Sequence, residues 1–170
     1  GTPTPTPCPA GTYSAMEGLA NLTQCRMCTS GMFCNASGLT APMGPCPPGV
    51  YCFLGTSAPI QLCPIGYFCP GGAYIPTACP PGYYQNEVGQ HDCKLCPAGL
   101  YCDFVYPHND SAYIVPRPCP TGHYCPNGTD STNQQPCPAG TYNPGTMLIA
   151  AEQCTPCSPG MCCEALGLAS

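Results

Sequence analysis

The chain is organised around one short stretch, Cys46-Pro47-Pro48-Gly49-Val50-Tyr51-Cys52. The same pattern, Cys-Pro-x-Gly-x-aromatic-Cys, returns along the whole sequence at intervals of 16 to 23 residues. Its nine copies begin at Cys8, Cys28, Cys46, Cys63, Cys79, Cys96, Cys119, Cys137 and Cys157. Because recurrence at a nearly constant period is the sequence signature of a repeat protein, we interpret the chain as an array of nine small modules, numbered 1 to 9.

Each position of the pattern has a structural reason. The glycine is present in all nine copies and the proline in seven. Pro-x-Gly is typical of a turn, because proline fixes its own φ and glycine accepts positive φ. An aromatic residue follows the turn in eight copies. We expect its ring to pack on a disulfide of its own or the next module, and an exposed ring that forms a binding surface is the alternative.

The cysteines divide the modules into two types. Six modules close with a second cysteine six residues after the first, at Cys34, Cys52, Cys69, Cys102, Cys125 and Cys163. The other three have Ser14, Gln85 or Asn143 at that place and receive their second cysteine later, at Cys25, Cys93 or Cys154. Every module thus owns two cysteines, and of the nineteen in the chain only Cys162 is left over.

This distribution favours disulfides within modules. If each second cysteine instead bonded the first cysteine of the next module, three bridges would close across Cys-x-x-Cys, a spacing typical of redox-active pairs. The last module could pair Cys157 with Cys163 or Cys162, and we assign the bond to Cys163. The predicted pairs are Cys8–Cys25, Cys28–Cys34, Cys46–Cys52, Cys63–Cys69, Cys79–Cys93, Cys96–Cys102, Cys119–Cys125, Cys137–Cys154 and Cys157–Cys163.

Composition indicates modules held by disulfides rather than by apolar cores. The 170 residues include 19 cysteines, 25 prolines, 20 glycines and no tryptophan, which marks a disulfide scaffold. Modules this small cannot bury enough surface to offset chain entropy, and each bridge stabilises them by about 2–3 kcal/mol in the chain-entropy model. Disulfides persist in oxidising compartments, so we predict an extracellular protein, secreted or on the cell surface.

Covalent glycans are predicted at two kinds of site. Four Asn-x-Ser/Thr sequons agree with secretion and predict N-glycosylation at Asn21, Asn35, Asn109 and Asn127. Residues 1–7 alternate threonine and proline, which is typical of a polyproline II stalk with O-glycans on Thr2, Thr4 and Thr6, and a plain linker is the alternative. The array itself occupies residues 8–163, and residues 164–170 form a tail without cysteine.

Charge and residue patterns argue against several classes of function. With three basic and eight acidic residues there is no basic patch, so we predict no nucleic-acid partner, and without a long apolar span we expect no direct membrane insertion. His91, His108 and His123 are scattered, which predicts no catalytic site and no enzyme. The Cys-x-x-Cys units suit zinc, but the last cysteine of each also opens the next repeat, so we predict no metal and no cofactor.

Two features indicate contacts with other molecules. Cys162 takes the aromatic position of module 9, and an odd cysteine in a secreted protein is typical of an intermolecular disulfide or a free thiol. The longest spacer, residues 103–118, carries Phe104, Tyr106, Tyr113 and Ile114. We interpret this spacer as the candidate surface for a partner.

The modules also resemble a known family. The phrases CPAGTYS at 8–14, CPPGYYQ at 79–85 and CPAGTYN at 137–143, each followed by a distant Cys-x-x-Cys, are similar to ephrin-receptor-like cysteine-rich repeats. The long modules also resemble the first sub-module of tumour necrosis factor receptor repeats. The tandem style is similar to that of large protist and algal surface proteins, including those of flagellar hairs (mastigonemes), although the closing cysteine of six modules departs from the receptor pattern.

The sequence therefore predicts small disulfide-rich repeats. They form an elongated array of about nine Cys-Pro-x-Gly-x-aromatic modules, mostly turns and irregular segments with short β pieces and little helix, in which each module contacts mainly its neighbours. The predicted function is an extracellular glycosylated structural protein, a building block of a filament, hair, coat or wall. Its expected partners are copies of itself or other filament or coat subunits. A receptor or adhesin ectodomain that binds a protein or glycan ligand is the alternative.

Overall fold

The computed structural model describes residues 5–105, 113–131 and 135–170. The chain divides into two compact units, Gly1–Thr77 with Glu87–Asp92 and Ala78–Asn86 with Cys93–Ser170. Both are built from the same parts, namely tight turns, strands of two residues and disulfides. The described ranges contain 3-10 helices but no α-helix.

Every module opens with a tight turn. In module 3 the N–H of Val50 donates to the carbonyl oxygen of Pro47 over 3.3 Å, and Gly49 at the third corner has a φ of +84°. A positive φ at this corner is the requirement of a type II turn and is met by glycine without steric cost. The equivalent hydrogen bond closes the turn in all nine modules.

A short strand follows the turn and pairs with the residues just before the next module, so that the spacer becomes a closed loop. In the first unit β1 (Thr12–Tyr13) pairs antiparallel with β2 (Arg26–Met27), and β3 (Met32–Phe33) pairs with β4 (Gly44–Pro45). Val50 and Leu62 form a single antiparallel bridge. The chain then continues through β5 (Tyr67–Phe68) and β6 (Thr77–Ala78).

The second unit repeats this arrangement. The pairs are β7 (Tyr83–Tyr84) with β8 (Lys94–Leu95), β9 (Leu100–Tyr101) with β12 (Arg117–Pro118), β10 (Phe104–Val105) with β11 (Tyr113–Ile114), and β13 (Thr141–Tyr142) with β14 (Thr155–Pro156). His123 and Pro136 form a single bridge. Proline is tolerated in these pairs because each sheet has two strands and both are edges.

Two of the long modules contain a 3-10 helix just before their late cysteine. In module 1 it covers Leu22–Gln24, and in module 8 it covers Ala151–Gln153. In both, the glutamine side chain accepts hydrogen bonds from backbone N–H groups before the helix, over 2.6 Å from Ala20 to Gln24 and over 2.7 Å from Ile149 to Gln153. The side chain thereby fixes the loop that brings the late cysteine back to the first.

Disulfides take the place of an apolar core. The fully buried side chains of the described residues are all cysteines: Cys28, Cys34, Cys46, Cys52, Cys63, Cys69, Cys79, Cys96, Cys102, Cys119, Cys125 and Cys137. Small apolar clusters are added to two of the bridges, at Cys63–Cys69 and at Cys96–Cys102. The predicted fold class, small disulfide-rich repeats with short β pieces and little helix, is confirmed.

Candidate functional site

Nine disulfides hold the described chain. They are Cys8–Cys25, Cys28–Cys34, Cys46–Cys52, Cys63–Cys69, Cys79–Cys93, Cys96–Cys102, Cys119–Cys125, Cys137–Cys154 and Cys157–Cys163. The structure thus brings the cysteines together in the pairs that the sequence suggests, and chemical mapping is the direct test of this connectivity. Cys162 carries a free, exposed thiol.

Successive modules are joined by four hydrogen bonds between backbone groups, and we call this arrangement the joint. Between modules 3 and 4 the bonds run from Gly72 N–H to Cys46 C=O (2.7 Å), from Cys52 N–H to Ala73 C=O (3.0 Å), from Gly49 N–H to Cys69 C=O (2.9 Å) and from Cys63 N–H to Gly49 C=O (2.9 Å). The equivalent four bonds recur between modules 1 and 2, 2 and 3, 6 and 7, 7 and 8, and 8 and 9. Because no side chain takes part, the spacers can vary in sequence without loss of the joint.

One residue of the joint is a second glycine that the sequence analysis did not identify, and we call it the loop glycine. It stands nine or ten residues after the first cysteine of its module and has a φ between +71° and +79°. The loop glycines are Gly18, Gly38, Gly55, Gly72, Gly89, Gly128 and Gly167. Alignment of the nine copies on their first cysteine is the signal that would have found them. In module 8 the place is taken by Met147, at a φ of +66°.

The turn glycine of the Pro-x-Gly motif also contacts the module after next. A Cβ atom on Gly31 in module 2 would lie 2.4 Å from the carbonyl oxygen of Gly72 in module 4, and one on Gly122 would lie 2.2 Å from that of Gly167. Real Cβ atoms do not approach an oxygen so closely, so only glycine fits. Contacts therefore reach one module further than the predicted nearest neighbours.

An amide replaces the second cysteine in two of the long modules. Asn143 is 3% exposed, its Oδ1 accepts a hydrogen bond from the N–H of Gly145 over 2.9 Å, and its Nδ2 donates to the carbonyl of His123 over 3.3 Å. Gln85 is similarly buried. Both amides are buried at the position of a second cysteine, and that of Asn143 bonds backbone groups, a role that sequence reasoning missed.

The aromatic rings of the repeated motif are partly buried and partly exposed to solvent. Tyr51 packs on the Cys63–Cys69 bridge of the next module, and Tyr84 packs on Cys96–Cys102 in the same way. All eight rings of the motif are half-buried. The predicted packing on a disulfide is confirmed for these two rings, and each keeps a part of its surface in solvent.

The spacer of residues 103–118 is only partly a surface. Ile114 is 2% exposed and packs on Cys96 and Cys102, so its interpretation as a partner-binding residue is wrong. Its side chain belongs to a small apolar cluster with Tyr84 and Leu100 beside the Cys96–Cys102 bridge. Tyr106 lies outside the described residues, as does His108.

Three of the four predicted N-glycosylation sites are on the described surface. Asn21, Asn35 and Asn127 are exposed, whereas Asn109 lies outside the described residues. Of the predicted O-glycosylation sites, Thr6 is exposed, and Thr2 and Thr4 are outside the described part. The exposure of Asn21, Asn35, Asn127 and Thr6 leaves room for glycans at these sites, and whether they carry glycans stays a prediction.

The described residues offer little for catalysis or metal binding. One open pocket of about 370 Å³ is lined by Thr6, Leu19, Ala20, Asn21, Leu22 and Cys25, without an acid or base. Within residues 5–105, 113–131 and 135–170 no three His, Cys, Asp or Glu side chains form a group that could hold a metal ion. His123 contacts a backbone carbonyl, that of Thr121, at 3.0 Å. In the same ranges no helix has the length and apolar composition needed to cross a membrane.

Comparison with models of protein families finds a match within the chain. The family model described as tyrosine-protein kinase ephrin type A/B receptor-like matches residues 66–106, from the turn of module 4 into the spacer of module 6. No curated protein matches the chain. The match and the nine disulfides indicate an extracellular or cell-surface protein. The family match covers residues 66–106, and the same Cys-Pro-x-Gly pattern and disulfides within modules recur along the chain, so its tandem cysteine-rich modules are similar to repeats of the ephrin-receptor-like type.

Proposed function

We propose that this chain is a structural protein outside the cell, a glycosylated building block of a filament, hair, coat or wall. The observation that carries the proposal is the joint, which repeats the same four backbone hydrogen bonds at six places. A connection made only of backbone groups gives the modules at these six places the same relation to one another, whatever their side chains are. Such regular stacking suits a protein whose task is mechanical rather than chemical.

The surface composition supports burial in an assembly. The chain has only eleven charged residues among 170, and large apolar side chains are exposed throughout, for example Ile60 at 75% and Met161 at 73%. Soluble monomers usually carry more charge and smaller apolar patches. Contact with copies of itself or with other filament or coat subunits would cover this surface, and covalent glycans would solvate the remainder.

Two further observations agree with this proposal. The ephrin-receptor-like module is a non-catalytic extracellular unit, which supports a role without enzymatic activity. The tandem Cys-Pro-x-Gly-x-aromatic-Cys style is similar to that of flagellar-hair proteins, which makes an extracellular filament of that kind the form of assembly we propose.

Electron microscopy of the native, unreduced protein tests the proposal. We expect regular polymers whose repeat is set by the array, and we expect Cys162→Ser to show whether Cys162 links them covalently. Particles of single-chain mass at every concentration and ionic strength would contradict a structural role. Reduced and alkylated protein is the control, because loss of the disulfides should abolish both the modules and the polymers.

A receptor or adhesin ectodomain is the second candidate function. It is favoured by two open pockets in the first unit, one of about 190 Å³ with Phe53 and Ile60 and one of about 300 Å³ with Tyr74 and Ile75 in its lining. Exposed apolar and aromatic side chains of this kind are typical of protein ligand sites. Monomeric protein that binds a protein or glycan saturably, with loss of binding in Tyr74→Ser, would favour this function over assembly.

A further inference from the structure

The side chain of the sequon residue Asn127 connects two modules. Asn127 stands just before the loop glycine Gly128 of module 7, and its Oδ1 accepts the N–H of Ala98 in the Pro-x-Gly turn of module 6 over 2.8 Å. This bond comes in addition to the four backbone bonds of the joint between modules 6 and 7. Because one atom of the amide is held, the attachment point of an N-linked glycan is fixed beside the joint.

Two exposed apolar side chains lie beside this attachment point. Leu95, at the end of the module 5 spacer, lies against Gly128, because a Cβ atom on that glycine would be 3.1 Å from Leu95 Cδ1. Tyr83 is opposite Leu95 in the pair of β7 and β8, and both are exposed. Residues opposite each other in an antiparallel pair have their side chains on the same face. We call Leu95 and Tyr83 the apolar platform.

The first unit has the same arrangement without a sequon. Leu62 lies over the loop glycine Gly89, with its Cδ2 3.3 Å from the Cβ position. The residue before that glycine is Val88, which is exposed. The place next to the loop glycine is thus apolar in the first unit, whereas beside Leu95 it holds Asn127, which can carry a glycan.

A glycan on Asn127 brings an apolar surface of its own to this place. A pyranose ring has faces of C–H groups, which pack on aliphatic and aromatic side chains, and hydroxyl groups at its edge, which stay in water. The ring is covalently tethered, so it meets the apolar platform without the cost of association between separate molecules. Cover of Leu95 by such a ring removes apolar surface from water where modules 5, 6 and 7 meet.

We propose that the first sugar of an N-glycan on Asn127 packs on the apolar platform and thereby stabilises the joint between modules 6 and 7. The sugar is bonded to Nδ2 of Asn127, while Oδ1 keeps its bond to the N–H of Ala98. The partner of this exposed surface is therefore a glycan of the same chain. The inference rests on the glycosylation that is part of the proposed function, and it goes further because it gives one glycan a structural task.

Two forms of a single sequence provide the test. Asn127 is made the one N-glycosylation site by three substitutions at the other sequons, Asn21→Gln, Asn35→Gln and Asn109→Gln. The full chain is then produced by secretion with its glycan, and in a host without N-glycosylation. Because the two forms have the same sequence, any difference between them comes from the glycan.

Hydrogen exchange reads the stability of the joint in the two forms. The amides of Gly99 and Cys102 report it, because both donate to carbonyls of module 7, over 2.8 and 2.9 Å. We expect the glycan to slow their exchange by roughly threefold or more. The amide of Gly72, which is bonded inside a joint of the first unit, should exchange at the same rate in both forms.

Substitutions of the leucine assign the effect to the apolar platform. Leu95→Ser removes the aliphatic group, so the glycosylated and unglycosylated forms of this variant should exchange at the same rate. Leu95→Ile keeps an aliphatic group and should keep the difference. The matched control is Leu62→Ser, which removes the corresponding leucine over Gly89 and should leave the effect of the glycan unchanged.

A contact measurement complements the exchange rates. In the glycosylated chain, nuclear Overhauser contacts should join protons of the first sugar to the methyl groups of Leu95 and to the ring of Tyr83. The methyl groups of Leu62 should show no contact with a sugar, since the single glycan is attached in the other unit.

Several outcomes would overturn the inference. Equal exchange in the two forms, a glycan effect that survives Leu95→Ser, or a first sugar without contacts to Leu95 would each show that the sugar does not pack on the platform. A secreted chain without glycan on Asn127 would overturn it as well. Monomeric protein in electron microscopy would contradict the structural function alone, because the effect of the glycan on the joint is measured within one chain.

Discussion

The turn glycine Gly49 lies so close to the loop glycine Gly89 that a Cβ atom on Gly49 would be 2.2 Å from the carbonyl oxygen of Gly89. The two residues belong to modules 3 and 5, with a complete module between them in sequence. Gly49 is therefore required twice, once for its φ of +84° in the turn and once for the approach of another backbone. The second requirement rules out asparagine at Gly49, although asparagine also accepts positive φ.

Gly49→Ala should be strongly destabilising. The strained φ costs about 1–2 kcal/mol, and the displaced backbone adds roughly 1–3 kcal/mol, as overpacking does in a core. Calorimetry of the oxidised protein should show a lower melting temperature for the first unit, with easier proteolysis of residues around the turn.

Two other alanine variants separate the causes. Gly18→Ala has the positive φ of +71° but open space, so it should lose only the strain, about 1–2 kcal/mol. Gly44→Ala has neither problem and should stay within about 0.5 kcal/mol of the parent chain. If Gly49→Ala melts like Gly18→Ala, the close approach to Gly89 does not exist in solution.

The sequence predicted the local features of this fold better than its contacts between modules. The turns follow from Pro-x-Gly and the module type follows from cysteine spacing, because both are set within seven residues. The role of Gly72 could not be seen in this way, since its partners Cys46 and Gly31 lie one and two modules earlier. The expectation that Ile114 lies on a partner-binding surface was wrong for a similar reason. Its burial depends on the Cys96–Cys102 bridge rather than on the polarity of its own spacer.

Trypsin offers a sharp test of the disulfide pairing. Its sites are Arg26, between Cys25 and Cys28, and Lys94, between Cys93 and Cys96, since Arg117 precedes a proline. If all bridges lie within modules, digestion in mild denaturant without reductant should give three separate peptides, 1–26, 27–94 and 95–170. Mass spectrometry with the free thiol blocked before digestion would show them.

The competing connectivity predicts a different pattern. Bridges between the second cysteine of one module and the first of the next would include Cys25–Cys28 and Cys93–Cys96. Peptides would then stay linked across both cleavage sites until reductant is added. Detection of those linked species as the main product would contradict pairing within modules.

Met147 should stabilise its joint less than a glycine at the same position would. It occupies a loop-glycine position at a φ of +66°, where a side chain other than glycine is strained, and its N–H still donates to Cys119 C=O over 2.9 Å. Met147→Gly should therefore raise the stability of the second unit by about 1 kcal/mol, the strain relieved less the entropy that glycine adds to the unfolded chain.

The neighbouring position is the control for this gain. Leu148 has no positive φ, so Leu148→Gly should lower stability by roughly 0.5–1 kcal/mol through chain entropy alone. Melting temperatures of the two variants should thus move in opposite directions. A fall in both would mean that the methionine side chain contributes contacts that outweigh its backbone strain.

Glycosylation of Asn127 should occur only before module 7 folds. Its sequon partner Thr129 is 7% exposed, and the hydroxyl donates to the carbonyl of Pro126 over 2.7 Å. The acceptor site is defined by asparagine and this hydroxyl together, so a transferase cannot read it in the folded protein. The amide Oδ1 of Asn127 accepts the N–H of Ala98 over 2.8 Å, and a glycan on Nδ2 leaves that bond intact.

A transferase assay on chain made without glycans tests this timing. Reduced and alkylated chain should be modified at Asn127, and oxidised folded chain should be modified there at least tenfold less. Asn35 is the matched site, because Ser37 of its sequon is exposed and folding should protect it less. Equal modification of Asn127 in both states would mean that Thr129 is accessible after folding, and that the joint between modules 6 and 7 opens readily in solution.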